Sequence, residues 1–409
     1  MGFVGFPVRR STHPPRTPDD LPTCPRDYYR HAMKSVYAIH GCVVVSLISR
    51  TSAFLHPRHR HAKSQSKISA TSEASADASL PRVLCVGETL YDSLPTGLFL
   101  GGAPTNVAAH LASLLSSPET VGIAACVGDD QLGRDARRRL ELKGVNTDFL
   151  QCHESLETGM ATAVIDGDGD ATYEFITPAA WDGLKLDERV SNSFGEDFGD
   201  TIFIMGTIAG RLGSEQGATS ASTMAQIRNS AANVVFDVNL RPPWYRSAEV
   251  LEFARGNDAS EELALVKLNE DELSILEEWC GLHRGGSSEE LTGSALEKRM
   301  LRLVEPLRSK RICVTRGGDG AALLCLNRDG SHAFCEHGGY ELSPRGGDSD
   351  TVGAGDSFLA ALVNSLLIRL ESPERALQRA CALGAYVASC RGATPEHSDA
   401  PDHLKSIFI

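Results

Sequence analysis

The chain has 409 residues, of which 42% are hydrophobic and 23% charged, enough for a full core in one large domain with appendages. Its formal charge of −13 is unevenly spread: residues 1–80 carry 11 Lys/Arg against 5 Asp/Glu, so the remainder bears −19. An acidic body argues against nucleic acid as the main partner, although a helix end and a few arginines still make a local positive site for an anionic substrate. The 11 cysteines are an odd number with no C-x-x-C pair; Cys85, Cys126, Cys313 and Cys325 lie inside apolar, strand-like runs, so the reading is buried free thiols in a reducing compartment, and the spacing supports no structural zinc site.

Residues 1–80 do not read as a folded domain. They are rich in Pro, Ser, Arg and His and lack sustained periodicity apart from the apolar stretch 36–48, which is too short to anchor across a bilayer. Met33-Lys34 before it and Thr51-Ser52-Ala53-Phe54 after it supply the basic start and small residues of a secretory signal. A basic, hydroxyl-rich segment follows, and no acidic residue occurs from Tyr28 to Ser72. The combination resembles the bipartite plastid presequence of algae with complex plastids, with Phe54 directly after the cleavage point. That resemblance implies a plastid protein starting at Met33, with no membrane contact once mature. The competing reading is a disordered tail with a chance apolar patch.

The body, 81–409, opens on an apolar strand at 82–87. Further strand-like runs fall at 121–127, 201–205, 234–238, 265–268, 312–315 and 321–325, alternating with helical stretches at 106–115, 133–143, 222–231, 270–280 and 358–370. This alternation predicts an α/β fold with a mostly parallel, doubly covered sheet, whose ligands gather beyond the C-terminal strand ends. One segment breaks the pattern: 158–177 has two β-rich arms around Asp166-Gly167-Asp168-Gly169-Asp170, a hairpin signal and a candidate lid. The acidic turn lacks the EF-hand loop pattern and reads as solvated.

Three stretches carry chemistry. Asp92 lies just past the first strand, where it could bind two hydroxyls or simply close a turn. Gly101-Gly102-Ala103-Pro104-Thr105-Asn106 opens a helical run; two glycines allow close backbone approach, and Asn106 offers both a donor and an acceptor. The same hexad would serve as an ordinary turn and helix cap. In Asp350-Thr351-Val352-Gly353-Ala354-Gly355-Asp356, the glycines stand at the N-terminus of the 358–370 helix. Free N–H groups and the helix dipole there can hold phosphate oxygens. Asp356 is placed to take a proton from a hydroxyl, so anion cradle and base together suggest phosphoryl transfer to an alcohol. No Walker A pattern occurs, which argues against a P-loop kinase.

Together these residues resemble the ribokinase-like, PfkB-type carbohydrate kinases. The likeness runs from about residue 82 to 401 and includes Val127-Gly128-Asp129-Asp130-Gln131-Leu132-Gly133 and Lys143-Gly144-Val145 in family order. It implies a three-layer ribokinase-like fold with a small β lid built from segments near 92–101 and 158–177. It also implies Asp356 as catalytic base, Gly353, Ala354 and Gly355 as anion hole, and ATP with Mg2+ as cofactors. Asn269 and Glu272 of the N-x-x-E motif would organise the Mg2+ through water, without direct ligands, although the same pair also reads as a capping box. Thr315, Gly317 and Gly320 would lie near the ATP phosphates and ribose, and Ala385, Val387, Gly392 and Ala393 would wall the adenine. A monovalent cation such as K+ and a homodimer through the lid are left open.

Within the family, the GGAP form, the stretch from Phe236 to Trp244 and Pro178-Ala179-Ala180-Trp181-Asp182 resemble the bacterial-type fructokinases. The expected reaction is fructose plus ATP to fructose 6-phosphate plus ADP, with Asp92, Gly101, Gly102, Asn106 and Arg241 around the sugar. A D-x-N-x-R pattern also occurs in 2-keto-3-deoxygluconate kinases, where Arg would meet a carboxylate. Ribose or a nucleoside as acceptor, and a non-catalytic fructokinase-like plastid scaffold, also compete with the fructose reading.

Overall fold

The computed structural model describes residues 81–94, 97–115, 120–165, 171–192, 201–210, 219–242, 244–282, 291–341 and 351–409. The presequence 1–80 with Met33 and Phe54, the turn 166–170, Pro243 and Asp350 lie outside the described residues.

Apolar runs with no polar alternation make strands that are buried on both faces. That is the state of β1 (Val83–Val86) and β4 (Val121–Gly128), every residue of which is buried. With β5 (Leu150–His153), β8 (Ile202–Gly206), β9 (Asn233–Asp237), β10 (Leu265–Asn269) and β11 (Arg311–Thr315) they form a parallel array in the order β11-β10-β9-β8-β1-β4-β5. Two antiparallel strands, β12 (Ala321–Leu326) and β13 (His332–His337), extend it beyond β11. Alternate side chains feed two cores: Val83 and Cys85 of β1 point to one, Leu84 and Val86 to the other. The first core is closed by α1 (Ala103–Leu114), α2 (Gln131–Leu142), α8 (Ala354–Val363), α9 (Pro373–Ala388) and α10 (Asp402–Phe408). The second is closed by α4 (Thr219–Ser230), α5 (Ser247–Arg255), α6 (Glu270–Trp279) and α7 (Gly293–Leu307), with short α3 (Glu188–Asn192) beside it.

A separate four-stranded sheet has the order β3-β2-β6-β7, built from β2 (Leu90–Leu94), β3 (Gly97–Gly101), β6 (Gly159–Ile165) and β7 (Ala171–Phe175). Asp92 pairs across the strands with Phe99 and Ala161, so these three share one face. Leu90, Ala161, Ala179 and Trp181 form a small core beneath it.

Element boundaries differ from the periodicity in informative ways. α1 starts at Ala103, three residues before the expected start, because Pro104 fits the first helical turn. α8 starts at Ala354 and passes after Val363 into a π-helical turn, Asn364–Ile368, ending at Leu370 with φ of 55°. Strands β5 and β13 and helices α3, α5, α7, α9 and α10 are additional to the elements expected from periodicity. β13 has no fully buried residue and so leaves no apolar run, whereas α7 buries Leu296, Met300, Leu303 and Leu307 at helical spacing and ends one residue after Pro306.

Candidate active site

The site forms where the C-terminal ends of the parallel strands meet the N-termini of α1, α6 and α8. α8 begins at Gly353, its N-cap, with φ of 77°. A β-carbon there would stand 2.6 Å from Ala393 Cβ and 2.7 Å from Ala393 O, so only glycine allows this approach. The first-turn N–H groups of the helix have no intrahelical acceptor; of these, Ala354 N donates back to Thr351 O at 3.3 Å. Asp356 lies in that first turn, and Asn106 Nδ2 of α1 donates to its Oδ2 at 2.8 Å, joining residues 250 apart. Burial pushes the Asp356 carboxyl up to about 6; the Asn106 bond and the charges of Lys267 and Arg241 oppose this, while Asp237 adds to it. The other end of the Asn106 amide, Oδ1, is buried without a protein partner, an acceptor suited to a ligand hydroxyl.

Asp92 is buried on β2, and the absence of a side chain at Gly101 leaves room for its carboxylate. Gly102 has φ of 100°, and a β-carbon there would lie 2.5 Å from Glu88 O. Both glycines therefore shape the backbone around Asp92 and the head of α1. Arg241 is exposed; its guanidinium donates to its own neighbour, Leu240 O, at 2.9 Å and acts on Asp356 through charge alone.

On the other side of α8 lies a cavity of about 320 Å3. Thr315, Gly317, Gly320, Ala354, Gly355 and Ala385 line it, together with Tyr340, Phe358, Cys381 and Gly384, which the sequence did not single out. Gly384 brings α9 close to α8, since a β-carbon there would meet Ala354 O at 3.3 Å. Three residues expected at the adenine wall, Val387, Gly392 and Ala393, do not line this cavity. Val387 is fully buried in the core, because two residues on from Ala385 a helix turns to its opposite side. Gly392 and Ala393 line a second cavity, of about 370 Å3, with Asn106 and Phe99. Gly320 serves the fold as well as the cavity, since at φ of 82° it packs against the backbone of His337 and Gly339, where no side chain fits.

Glu272 is 4% exposed. Its Oε2 accepts from Asn269 N at 2.9 Å and its Oε1 from Leu240 N at 2.8 Å, while Asn269 Oδ1 accepts from Glu272 N at 2.8 Å. The capping box is thus formed, and both carboxylate oxygens are engaged by backbone. Among the described residues no group of three His, Cys, Asp or Glu stands ready to hold a metal ion. The donor set fits Mg2+ only through water and the phosphates of a bound nucleotide.

Three charged residues here carried no assigned role from the sequence. Lys267 on β10 pairs with Asp237 on β9, Nζ to Oδ1 3.0 Å and to Oδ2 3.3 Å, with side chains 9% and 5% exposed. A β-carbon at Gly355 would lie 3.2 Å from that ammonium, which places the cation beneath the first turn of α8. Burial works against the Lys267 charge, but Asp237, Glu272 and Asp356 together raise its pKa. Glu88 is 2% exposed, and its Oε1 accepts from Ala103 N at 3.1 Å at the head of α1. Burial raises its carboxyl to about 7. The available signal was a lone Lys in the apolar run Leu265-Val266-Lys267-Leu268, and an acid two residues past the end of strand β1.

A helix N-terminus that can cradle phosphate, a partly raised carboxylate in its first turn and a small sheet nearby define a phosphotransferase acting on a hydroxylated acceptor. Residues 76–400 match the pfkB family carbohydrate kinases, and the chain belongs to that family. It is 30% identical over 334 residues to probable fructokinase-7 of Arabidopsis thaliana, covering 76% of this chain and 88% of the relative. Probable fructokinase-6, chloroplastic, of the same plant is 28% identical over 357 residues, covering 83% and 85%. Fructokinase with bound ATP from Xylella fastidiosa shares the fold, with a TM-score of 0.59 at 22% identity over 80% of this chain and 98% of that one. The chain is an ATP-dependent sugar kinase of the PfkB type with the ribokinase-like fold.

Proposed function

We propose that the acceptor is fructose and the product fructose 6-phosphate. The observation that carries the reading is the pairing of Asn106 with Asp356 at the end of α8, which leaves the buried Asn106 Oδ1 for a sugar hydroxyl. Asp92, Gly101, Gly102, Asn106 and Arg241 surround the sugar in this reading. Asp356 takes the proton of the primary hydroxyl as its oxygen attacks the γ-phosphorus in line, and the bond to the ADP oxygen breaks. The N–H groups of Gly353, Ala354 and Gly355, with Lys267 beneath them, hold the charge of the transferring phosphoryl. Thr315, Gly317 and Gly320 flank the nucleotide in its cavity. Mg2+, when bound, supplies charge neutralisation on the β- and γ-phosphates; Asn269 and Glu272 would reach it through water. Closure of the small sheet would keep water from the γ-phosphate.

Residues 1–80 act, in this proposal, as a plastid presequence; one plant relative is itself described as chloroplastic. Among the described residues no helix is long and apolar enough to cross a membrane. Leu98 on β3 and Ile176 after β7 are exposed, 43% and 50%, and a homodimer pairing two small sheets would cover such residues.

The test is a coupled assay of the full chain with ATP and Mg2+ against fructose, ribose, adenosine and 2-keto-3-deoxygluconate, with Asp356→Asn as control. Turnover of fructose that falls by roughly a hundredfold or more in the variant supports the reading. Turnover of another acceptor alone changes the substrate and keeps the mechanism. No turnover of any acceptor by folded protein overturns it.

A further inference from the structure

Glu272 joins two parts of the site that the sequence holds far apart. Its Oε2 bond to Asn269 N closes the head of α6 on the nucleotide side, and its Oε1 bond reaches Leu240 N, 32 residues away. The carboxylate is buried, so water does not substitute for either bond, and a donor left unpaired there is costly.

Leu240 belongs to a turn that has to be held in place. Asn239 before it has φ of 38°, left-handed backbone that a β-carbon disfavours. The turn is tied at three points: Val238 N donates to Lys267 O at 2.9 Å, Thr207 Oγ1 donates to Asn239 O at 2.9 Å, and Leu240 N donates to Glu272. From its far side extend Arg241, whose charge acts on Asp356, and Trp244, whose N–H donates to Arg241 O at 2.9 Å. The Trp244 ring meets Phe175 of β7 edge-on, centroids 6.0 Å apart. The small sheet is therefore in contact with a turn anchored by the N-x-x-E carboxylate.

We propose that Glu272 is a positioning residue that fixes the 239–241 turn, and so sets Arg241 and Trp244 for the sugar, coupling the nucleotide-side helix to the acceptor side. This role is separate from any water-mediated contact to Mg2+. Its kinetic consequence rests on the sugar-kinase reading; its structural consequence does not.

The test uses the full chain and Glu272→Gln, which keeps one acceptor oxygen for two backbone donors. Backbone hydrogen exchange is followed in peptides covering 238–244 and, as control, 121–128, without nucleotide or Mg2+. Exchange in 238–244 is expected to quicken at least tenfold while β4 is unchanged. In steady state, KM for the acceptor that the wild type uses should rise about tenfold, with a smaller change in KM for ATP. Unchanged exchange in 238–244 overturns the proposal. So does a raised Mg2+ requirement with exchange and acceptor KM at wild-type values, which would assign the carboxylate to the ion alone. Should Glu272→Gln not fold, Glu272→Asp, which keeps the charge but shortens the reach, is read by the same two measurements. A wild type that phosphorylates no acceptor removes the fructose reading, and the exchange measurement still decides this one.

Discussion

Lys267 illustrates how much a single buried charge organises. Its ammonium sits among Asp237, Glu272 and Asp356, and beneath the first turn of α8. Buried ions of this kind add little net stability, so their retention needs another reason. Lys267 lowers the Asp356 carboxyl, which burial otherwise pushes up to about 6. In the proposed mechanism Asp356 is the general base and works when deprotonated, so kcat/KM should climb with pH through about 6, falling roughly tenfold per unit below it. Lys267→Met removes a cation that favours the ionised base, so this acid limb should move to higher pH. The single variant leaves Asp237 buried and unpaired, at a cost of about 3–5 kcal/mol. The double variant Asp237→Asn/Lys267→Met removes both charges. Because Asp237 raises the Asp356 carboxyl and Lys267 lowers it, the two deletions offset each other on the acid limb, and kcat is the readout. Folded double variant with kcat down roughly tenfold or more would assign the pair to catalysis, and wild-type kcat would confine it to packing.

At the scale of the element, α8 is a helix whose head is specialised and whose body is ordinary core. Ser357 to Val363 are all buried, and the apolar run predicted that packing. The head needs Gly353 at φ of 77° against Ala393. Gly353→Ala must shift either the helix start or the 391–393 segment. The strain costs of order 1–3 kcal/mol, which a large α/β core tolerates. The displaced N–H groups should instead lower kcat by roughly a hundredfold. Thermal denaturation beside steady-state kinetics checks this; full activity in a folded Gly353→Ala protein would remove the helix head from the chemistry. Here the sequence was legible because the run Gly353-Ala354-Gly355 before Asp356 and an apolar stretch suits close backbone approach at a helix start. The expected adenine wall was less legible, since the run Ala385 to Ala393 mixes three residues that line the cavity beside α8, Ala385, Ala388 and Ser389, with core positions and with Gly392 and Ala393 of the second cavity, which only helical phase and a following turn separate.

Across the whole molecule, the two ends of the described chain are stitched by an imidazole pair. His110 of α1 and His397 stack 5.2 Å apart, Nδ1 of the first against Nε2 of the second at 2.9 Å. His110 Nε2 lies 2.9 Å from Ala393 O, which can only accept, so His110 donates there and receives from His397 Nε2–H at Nδ1. Burial drives both pKa values down, to about 3 for His110, helped by His397, and to about 4 for His397, helped by Lys143. Unfolded, both take up protons near 6.5. The unfolded state then binds more protons below that pH, and the pair's contribution to stability is lost as pH falls from about 6.5 towards 4. The raised carboxyls of Glu88 and Asp356 act in the opposite sense. The difference between wild type and His397→Gln in urea unfolding isolates the pair: wild type should lose more stability over that window, and parallel curves would refute the assignment.

Local information sufficed for the α/β alternation, because burial on both faces leaves continuous apolar runs and helices leave a 3.6-residue period. It sufficed as well for the glycine turns, because close backbone approach admits little else. Folding was needed to show which charges meet. Asn106 finds Asp356 across 250 residues, Lys267 finds Asp237 across a strand pair, and Glu272 finds Leu240. Nothing in the neighbourhood of a residue along the chain encodes such partners, since strand order and helix packing bring them together only once the core has closed. The electrostatics of the site therefore belong to the tertiary structure: in a low-dielectric cleft the strength of a charge depends on the company that the fold selects.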